Sequence, residues 1–187
     1  MSFPRNPLPC KLITGLIFSP RADIDAILDG IAEKLGIIET RSKRFSFDQT
    51  GYYTEEMGRG LERMFVVCNG LHRRGLLVDA KLTSYELEKE HSQGGRRSVN
   101  IDPGIVSLEN LVLATFKNYY HRIYIGKGVY GEVTLYYMKG KFRELPWTYP
   151  DYRDEGVKDF FLSVRETLYQ QTIEKGMRYG NEYDGFR

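Results

Sequence analysis

Lys11 to Phe18 form an apolar, β-branched run that predicts a buried strand. Ser19-Pro20 breaks it. Beyond the break, Ile24, Ile27, Leu28, Ile31 and Leu35 share one face of a 3.6-residue period, so Ala22 to Leu35 is expected to be a helix stopped by Gly36. From Gly36 to Asp48 the pattern becomes extended, with Phe45 and Phe47 alternating against Arg44, Ser46 and Asp48. Gln49 to Gly60 reads as a loop rich in Gly, Tyr and Glu, and Leu61 to Cys68 as a second buried strand. Leu76, Ala80, Thr83 and Leu87 give Arg74 to Ser92 a helical stripe, ended by Gly94-Gly95. Arg96 to Asp102 predicts a strand, and Asp102-Pro103-Gly104 has the chemistry of a turn.

Leu111–Phe116, Tyr119–Ile125 and Val129–Met138 predict three more strands. Gly140 to Tyr152 is expected to be mostly irregular. Asp154 to Lys175 predicts a helix with acids in its first turn and Gly176 just past its end. The first six elements run β-α-β-β-α-β. The expectation is an α+β fold on a largely antiparallel sheet, in which a ferredoxin-like βαββαβ core is extended by three antiparallel strands and a C-terminal helix. The expected organisation is an N-terminal arm over 1–10, one domain over 11–175 and a C-terminal tail over 176–187.

Composition narrows the function classes. Apolar residues make up 41% of the chain and charged residues 28%, with a formal net charge of +2. That is a globular composition without a strongly basic overall field, so any nucleic-acid footprint must be local. No run approaches the roughly 20 apolar residues of a membrane span. Met1 to Cys10 carries three prolines and no apolar core, unlike a signal peptide. Cys10 and Cys68 form no zinc or CxxC pattern and read as reduced thiols of a cytoplasmic protein, Cys68 as a core filler.

One motif is a decoy. Gly126-Lys127-Gly128-Val129-Tyr130-Gly131-Glu132-Val133 fits the glycine-rich loop of protein kinases. The V-A-I-K, H-R-D and D-F-G strings of that enzyme are missing, so the glycines read as a tight hairpin. No P-loop is present, hence no nucleotide motif.

Strand alternation places the candidate chemistry. Asn100 and Asp102 share one face; Arg122 and Tyr124 share another, opposite His121, Ile123 and Ile125; Tyr130, Glu132, Thr134 and Tyr136 share a third. Pairing of the last two strands sets Arg122 and Glu132 on one surface, bordered by Asp102 and Lys117. Such a face is either a solvated surface with cross-strand charge pairs or a partly covered pocket, with the 49–60 loop as the cover. Covering matters, because charges orient ligands and shift proton affinities only where water is thin. Asp102, Glu132 and Glu88 offer hard oxygens of the kind Mg²⁺ takes, whereas His72, His91 and His121 lack zinc spacing. His121 reads first as a buried, hydrogen-bonded residue.

A second reading comes from Lys117 to Arg153, where seven basic residues face three acids amid tyrosines, Phe142 and Trp147. Cations with interleaved rings suit single-stranded nucleic acid, although no RNP string is present. A third is a structural, partner-binding domain.

Several strings look alike in order and spacing to a known family. They are Thr50-Gly51-Tyr52-Tyr53 with Glu56-Met57-Gly58, Leu61 and Arg63; Lys81-Leu82 with Leu87-Glu88; Arg97 with Asn100-Ile101-Asp102-Pro103-Gly104; Lys117-Asn118 with His121-Arg122-Ile123-Tyr124; Glu132 with Thr134-Leu135; and Pro150-Asp151-Tyr152-Arg153. From Pro9 to Lys175 the chain resembles the prokaryotic family catalogued as domain of unknown function 4416. It departs from that pattern at Ile105, where the family has Tyr, and at Ser84-Tyr85, where it has Thr-Asn. The resemblance implies a small standalone cytoplasmic protein and assigns no activity. Strand face and family strings together nominate one site for a small anionic ligand or substrate. Arg63, Arg97, Asn100, Lys117, Arg122 and Tyr124 would bind the ligand, and Glu56, Glu88, Asp102, His121 and Glu132 would act as acids, bases or cation ligands.

Overall fold

The computed structural model describes residue 3 and residues 6–48 and 51–177. In chain order the elements are β1 (Lys11–Phe18), α1 (Ile24–Lys34), β2 (Ile38–Arg41), β3 (Phe45–Ser46), α2 (Thr54–Met57), β4 (Glu62–Cys68), α3 (Leu77–Glu90), β5 (Ser92–Gln93), β6 (Arg96–Arg97), β7 (Val99–Val106), β8 (Asn110–Thr115), β9 (Ile123–Gly126), β10 (Val129–Met138), β11 (Lys141–Glu144) and α4 (Glu155–Glu174). Among the described residues one antiparallel sheet runs β11-β10-β8-β7-β1-β4-β2, with β3 beside β4 and β9 beside β10. β5 and β6 form a separate hairpin. The fold is therefore α+β on a large antiparallel sheet with a C-terminal helix, as the hydrophobic pattern predicts. The β-α-β-β-α-β run is β1, α1, β2, β4, α3 and β7, interrupted by β3, α2 and the β5–β6 hairpin.

Period-2 alternation builds a core on each side of the sheet. Leu12, Leu16 and Phe18 of β1 pack with Met64 and Val66 of β4, under Ile27, Leu28 and Ile31 of α1 and Ala80 and Leu87 of α3. The opposite face carries Ile13, Phe65, Val67, Val106 and Leu135, covered by Val157, Phe161 and Val164 of α4. The α4 stripe at 157, 161 and 164 is one helical face, and Asp154 caps the helix by accepting the Val157 N–H at 3.1 Å. α1 is capped in the same way by Asp23, and ends at Gly36, whose φ of 128° suits glycine. Cys68 is buried in the first core, as its apolar run predicts.

Some boundaries differ from the sequence reading. The 49–60 stretch holds α2, and 140–152 holds β11. Gly94-Gly95 does not end the helix but turns the β5–β6 hairpin, with φ values of 58° and 76°. The kinase-like glycines do form a hairpin turn, between β9 and β10, with Lys127 at φ 50° and Gly128 at 77°. At the end of the expected arm, the Cys10 N–H donates to the His72 carbonyl at 2.9 Å and Leu8 is buried. Most of the expected tail, residues 178–187, lies outside the described residues, as do Gln49 and Thr50 of the expected loop.

The main correction concerns Asp102-Pro103-Gly104, which is not a turn but the interior of β7. All of β7 pairs with β1, whereas β8 pairs with β7 only opposite Gly104, Ile105 and Val106. Before Gly104 the two strands part, and β8 follows β10 instead. Side chains of α3 replace the missing strand: the Ile101 N–H donates to Glu88 Oε1 at 2.6 Å, and its carbonyl accepts from Lys81 Nζ at 3.2 Å. Pro103, two residues on, turns its nitrogen to the same open side, where no ladder requires an N–H.

Candidate functional site

The fork between β7 and β8 widens into a cleft of about 590 Å³. Its apolar lining includes Ile17, Phe47, Tyr53, Tyr85 and Phe116. The charged lining comes from well-separated parts of the chain: Arg63 on β4, Lys81 and Glu88 on α3, Arg97 on β6, Asp102 on β7, Lys117 after β8, Glu132 on β10, and Asp151 before α4. Tyr52 and Tyr53 cover it from the segment leading into α2, so the polar face is sheltered by the described part of the expected loop.

The α3 wall is a saturated ionic lattice. Arg97 donates to both oxygens of Glu56, at 2.7 and 2.8 Å, and its remaining terminal nitrogen donates to Glu88 Oε2 and Asn100 Oδ1 at 3.0 and 3.1 Å. Asn100 passes the chain on to Asp102 Oδ2 at 2.7 Å, and Lys81 Nζ donates to Asp102 Oδ1 at 3.1 Å. Proton affinities follow from this wiring. Burial pushes the Asp102 carboxyl up, but Lys81 and Arg63 outweigh it and hold the group below the usual aspartate value. Hydrogen bonds from Arg97 lower Glu56. Glu88 goes the other way, because burial outweighs Lys81, the Ile101 N–H and Arg97.

The facing wall centres on Glu132, 2% exposed. Its Oε2 accepts from Arg122 Nε at 2.7 Å and lies 3.0 Å from His121 Nε2, which donates to a carboxylate. Arg122 is itself fixed by the Lys117 carbonyl and the Tyr149 hydroxyl, at 2.9 and 2.8 Å. His121 stacks on Trp147, centroids 4.9 Å apart and planes 12° from parallel. Glu132 Oε1 is buried and has no hydrogen-bond partner.

Arg63, 3% exposed, forms the floor. Its guanidinium crosses β1 at Gly15, where a Cβ would come within 2.7 Å of Nη2 and 3.0 Å of the Tyr152 hydroxyl. Nη2 donates to that hydroxyl at 2.9 Å, and Nε lies 3.0 Å from Asp151 Oδ2 without hydrogen-bond alignment. The Phe65 ring stacks below, 4.7 Å from the guanidinium carbon. Nη1 has no partner.

Of the nominated residues, the structure brings Arg63, Glu88, Arg97, Asn100, Asp102, Lys117 and Glu132 to the cleft wall. Glu56, His121 and Arg122 stand one hydrogen bond behind it. Tyr124 does not belong. It is 59% exposed, its ring meets Tyr130, and its hydroxyl accepts weakly from the Gly128 N–H at 3.4 Å. The strand expected over Tyr119–Ile125 begins only at Ile123. Alternation therefore does not carry back to His121, which turns onto Glu132 rather than joining Ile123 and Ile125. Pattern reading missed Lys81, Tyr149, Asp151 and Tyr152 as site residues. For Lys81 there was a signal: Lys81, Ser84 and Glu88 lie at i, i+3, i+7 inside the buried face of α3.

The carboxylates do not assemble as a cation cage. Glu56, Glu88, Asp102 and Glu132 each already hold a Lys or Arg. Among the described residues no three His, Cys, Asp or Glu side chains are grouped to hold a metal ion. Three of the basic residues of 117–153 are already engaged within the protein. Arg122 is spent on Glu132, Lys127 pairs with Asp79, and Arg153 donates to the Thr148 and Pro146 carbonyls. Both thiols are buried and poor nucleophiles, Cys10 pushed up to about 12 and Cys68 to about 11. Among the described residues no helix is long and apolar enough to cross a membrane.

Residues 8–168 match the family model described as Domain of unknown function (DUF4416), and the chain belongs to that family. No curated protein and no solved structure matches it.

Proposed function

We propose that the β7–β8 fork is the recognition or catalytic site for a small ligand with an apolar, ring-sized body. Arg63 and Lys117 receive its anionic end, and Glu132 accepts a proton or a hydrogen bond from it. The observation that carries this reading is a ledger of partners. The charged side chains of the α3 wall spend their hydrogen bonds on one another. Arg63 Nη1 and Glu132 Oε1, two buried atoms on residues that line the same cleft, have none. Leaving such atoms unpaired costs about 1–3 kcal/mol each, more when charged, and a ligand that satisfies both recovers that cost.

The volume suits the task, since small-molecule sites are concave, mostly apolar and provided with a few convergent polar groups. The test uses the fluorescent aromatic sulfonate 8-anilinonaphthalene-1-sulfonate. The native protein is expected to bind it at one site. Phe116→Glu, which places a carboxylate on the apolar wall, is expected to weaken binding at least tenfold while far-UV and near-UV circular dichroism stay native. Equal binding by a folded Phe116→Glu protein would place the probe elsewhere and end this reading.

A further inference from the structure

We infer that the ligand of this cleft is a monoanionic aromatic hydroxy acid: a ring bearing one carboxylate-type group and, apart from it, a hydroxyl. The inference rests on the site proposed above and names its ligand class.

Four features select that chemistry. The first is polarity. Arg63 Nη1 is a buried cationic donor, so its partner is an acceptor, and a carboxylate oxygen is the strongest choice. Glu132 Oε1 is a buried acceptor, so its partner is an O–H or N–H. One ligand must offer both.

The second is charge. Within the cleft and directly behind it, Glu56, Glu88, Asp102, Glu132 and Asp151 stand against Arg63, Lys81, Arg97 and Arg122 through direct ion pairs. Lys117 stands apart. Its Nζ donates to the Tyr52 hydroxyl at 2.7 Å and lies 4.1 Å from the centre of that ring, with no carboxylate partner among the described residues. With Lys117 the five acids meet five cations, so the cleft is formally balanced, and Lys117 is the cation there whose direct counter-ion a ligand can supply. A polyanion would meet Glu132, Asp102 and Asp151.

The third is the nature of the donor. Glu132 already has Arg122 as counter-ion and His121 beside it. An ammonium there would bring a further positive charge against Arg122 and Arg63, whereas a hydroxyl supplies the hydrogen bond without it. The fourth is shape. Phe47, Tyr53, Tyr85 and Phe116 line the space between, and Tyr85 and Phe116 already meet edge to face with centroids 5.6 Å apart. Flat rings fit such walls at little conformational cost.

The experiment is a calorimetric titration of the full chain with 3-hydroxybenzoate, 4-hydroxyphenylacetate and 3-(4-hydroxyphenyl)propanoate, which vary the spacing between hydroxyl and carboxylate. Benzoate, phenylacetate and phenol serve as partners lacking one group, and phenylalanine as the zwitterion. At least one hydroxy acid is expected to bind at least tenfold more tightly than its partner without the hydroxyl and than phenol. Glu132→Gln is expected to shrink the hydroxyl preference several-fold, since a neutral amide donor replaces the carboxylate acceptor. Its amide oxygen takes the Arg122 and His121 donors, and its NH₂ then faces the ligand as a donor. Lys117→Gln is expected to weaken all carboxylates alike and to leave phenol unchanged. Tighter binding of phenylalanine, or a hydroxyl preference undiminished in Glu132→Gln, overturns the inference. If no hydroxy acid binds while the anilinonaphthalene probe still depends on Phe116, the ligand class is wrong and the site stands. If the probe is also indifferent to Phe116, both fall.

Discussion

The two walls of the cleft are built from the same residue types and differ in completeness. On the α3 side, Glu56, Arg97, Glu88, Asn100, Asp102 and Lys81 form a chain in which each charged group has a partner of opposite sign or an amide. Across the gap, Glu132 and Arg63 are more deeply buried, and they keep polar atoms without a hydrogen bond, Oε1 of Glu132 and Nε and Nη1 of Arg63. A closed ionic lattice holds backbone in place, here the unladdered half of β7. A lattice with open valences has something left to hold. On the function proposed above, unmet hydrogen bonds mark the side of the cleft that a ligand would complete.

Four perturbations sharpen or break this contrast. The largest effect is expected from Arg97→Met, which strips Glu56, Glu88 and Asn100 of their shared donor and leaves Glu88 buried beside Asp102. Urea unfolding should report a loss of about 3 kcal/mol, the low end for a broken buried pair because Arg97 and Glu56 are partly exposed while Glu88 is not. A loss below about 1 kcal/mol would mean that the α3 wall is not structural. Next comes Gly15→Ala, whose methyl meets the Arg63 guanidinium and the Tyr152 hydroxyl. It should cost about 1–3 kcal/mol, as overpacking does, and should also disturb the anilinonaphthalene probe. Stability without a change at the probe would detach Arg63 from the ligand.

Third, the pH dependence of unfolding should carry opposite signs within the α3 wall. Glu56 and Asp102 are lowered in the fold, so the stability they contribute is present above their ordinary values and is lost as pH falls through their folded ones. Glu88 is raised, so its contribution is present below its ordinary value and declines as pH rises to its folded one. Replacing Glu88 by Gln should remove that decline, and Asp102→Asn should flatten the acid limb. Identical pH profiles for the native chain and both variants would contradict the assigned directions. The smallest effect is expected from Lys117→Gln, within about 0.5 kcal/mol in urea, because an exposed cation on a tyrosine contributes little to folding.

Much of the scaffold was legible because its signals are local. β1 and β10 lie where their apolar and alternating runs place them, and α4 follows its stripe and its Asp154 cap. Asp102 on β7 and Glu132 on β10 could be read as polar strand positions, whereas Lys117 and Arg122 join them from the segment between β8 and β9, where no strand alternation applies. The errors lie where tertiary context overrules a local rule. Asp-Pro-Gly is good turn chemistry, but a strand that loses its neighbour tolerates a proline, and nothing local announces that loss. His121 and Arg122 were placed by extending β9 back through residues that are in fact a turn, so the face shared by Arg122 and Tyr124 does not exist. Lys81 was hidden because a lysine within a buried helical stripe looks like an interruption of the pattern, not a contact. Asp151 and Tyr152 sit in a proline-bounded crossing that has no period to read.

Pro103 gives the gap in the sheet a permanence that ion pairs cannot. Should β8 swing toward the first half of β7, it would find no hydrogen to accept at that residue, so that rung of the seam cannot form. One edge of the aperture is thus written into a covalent ring of the main chain, which neither pH nor salt alters.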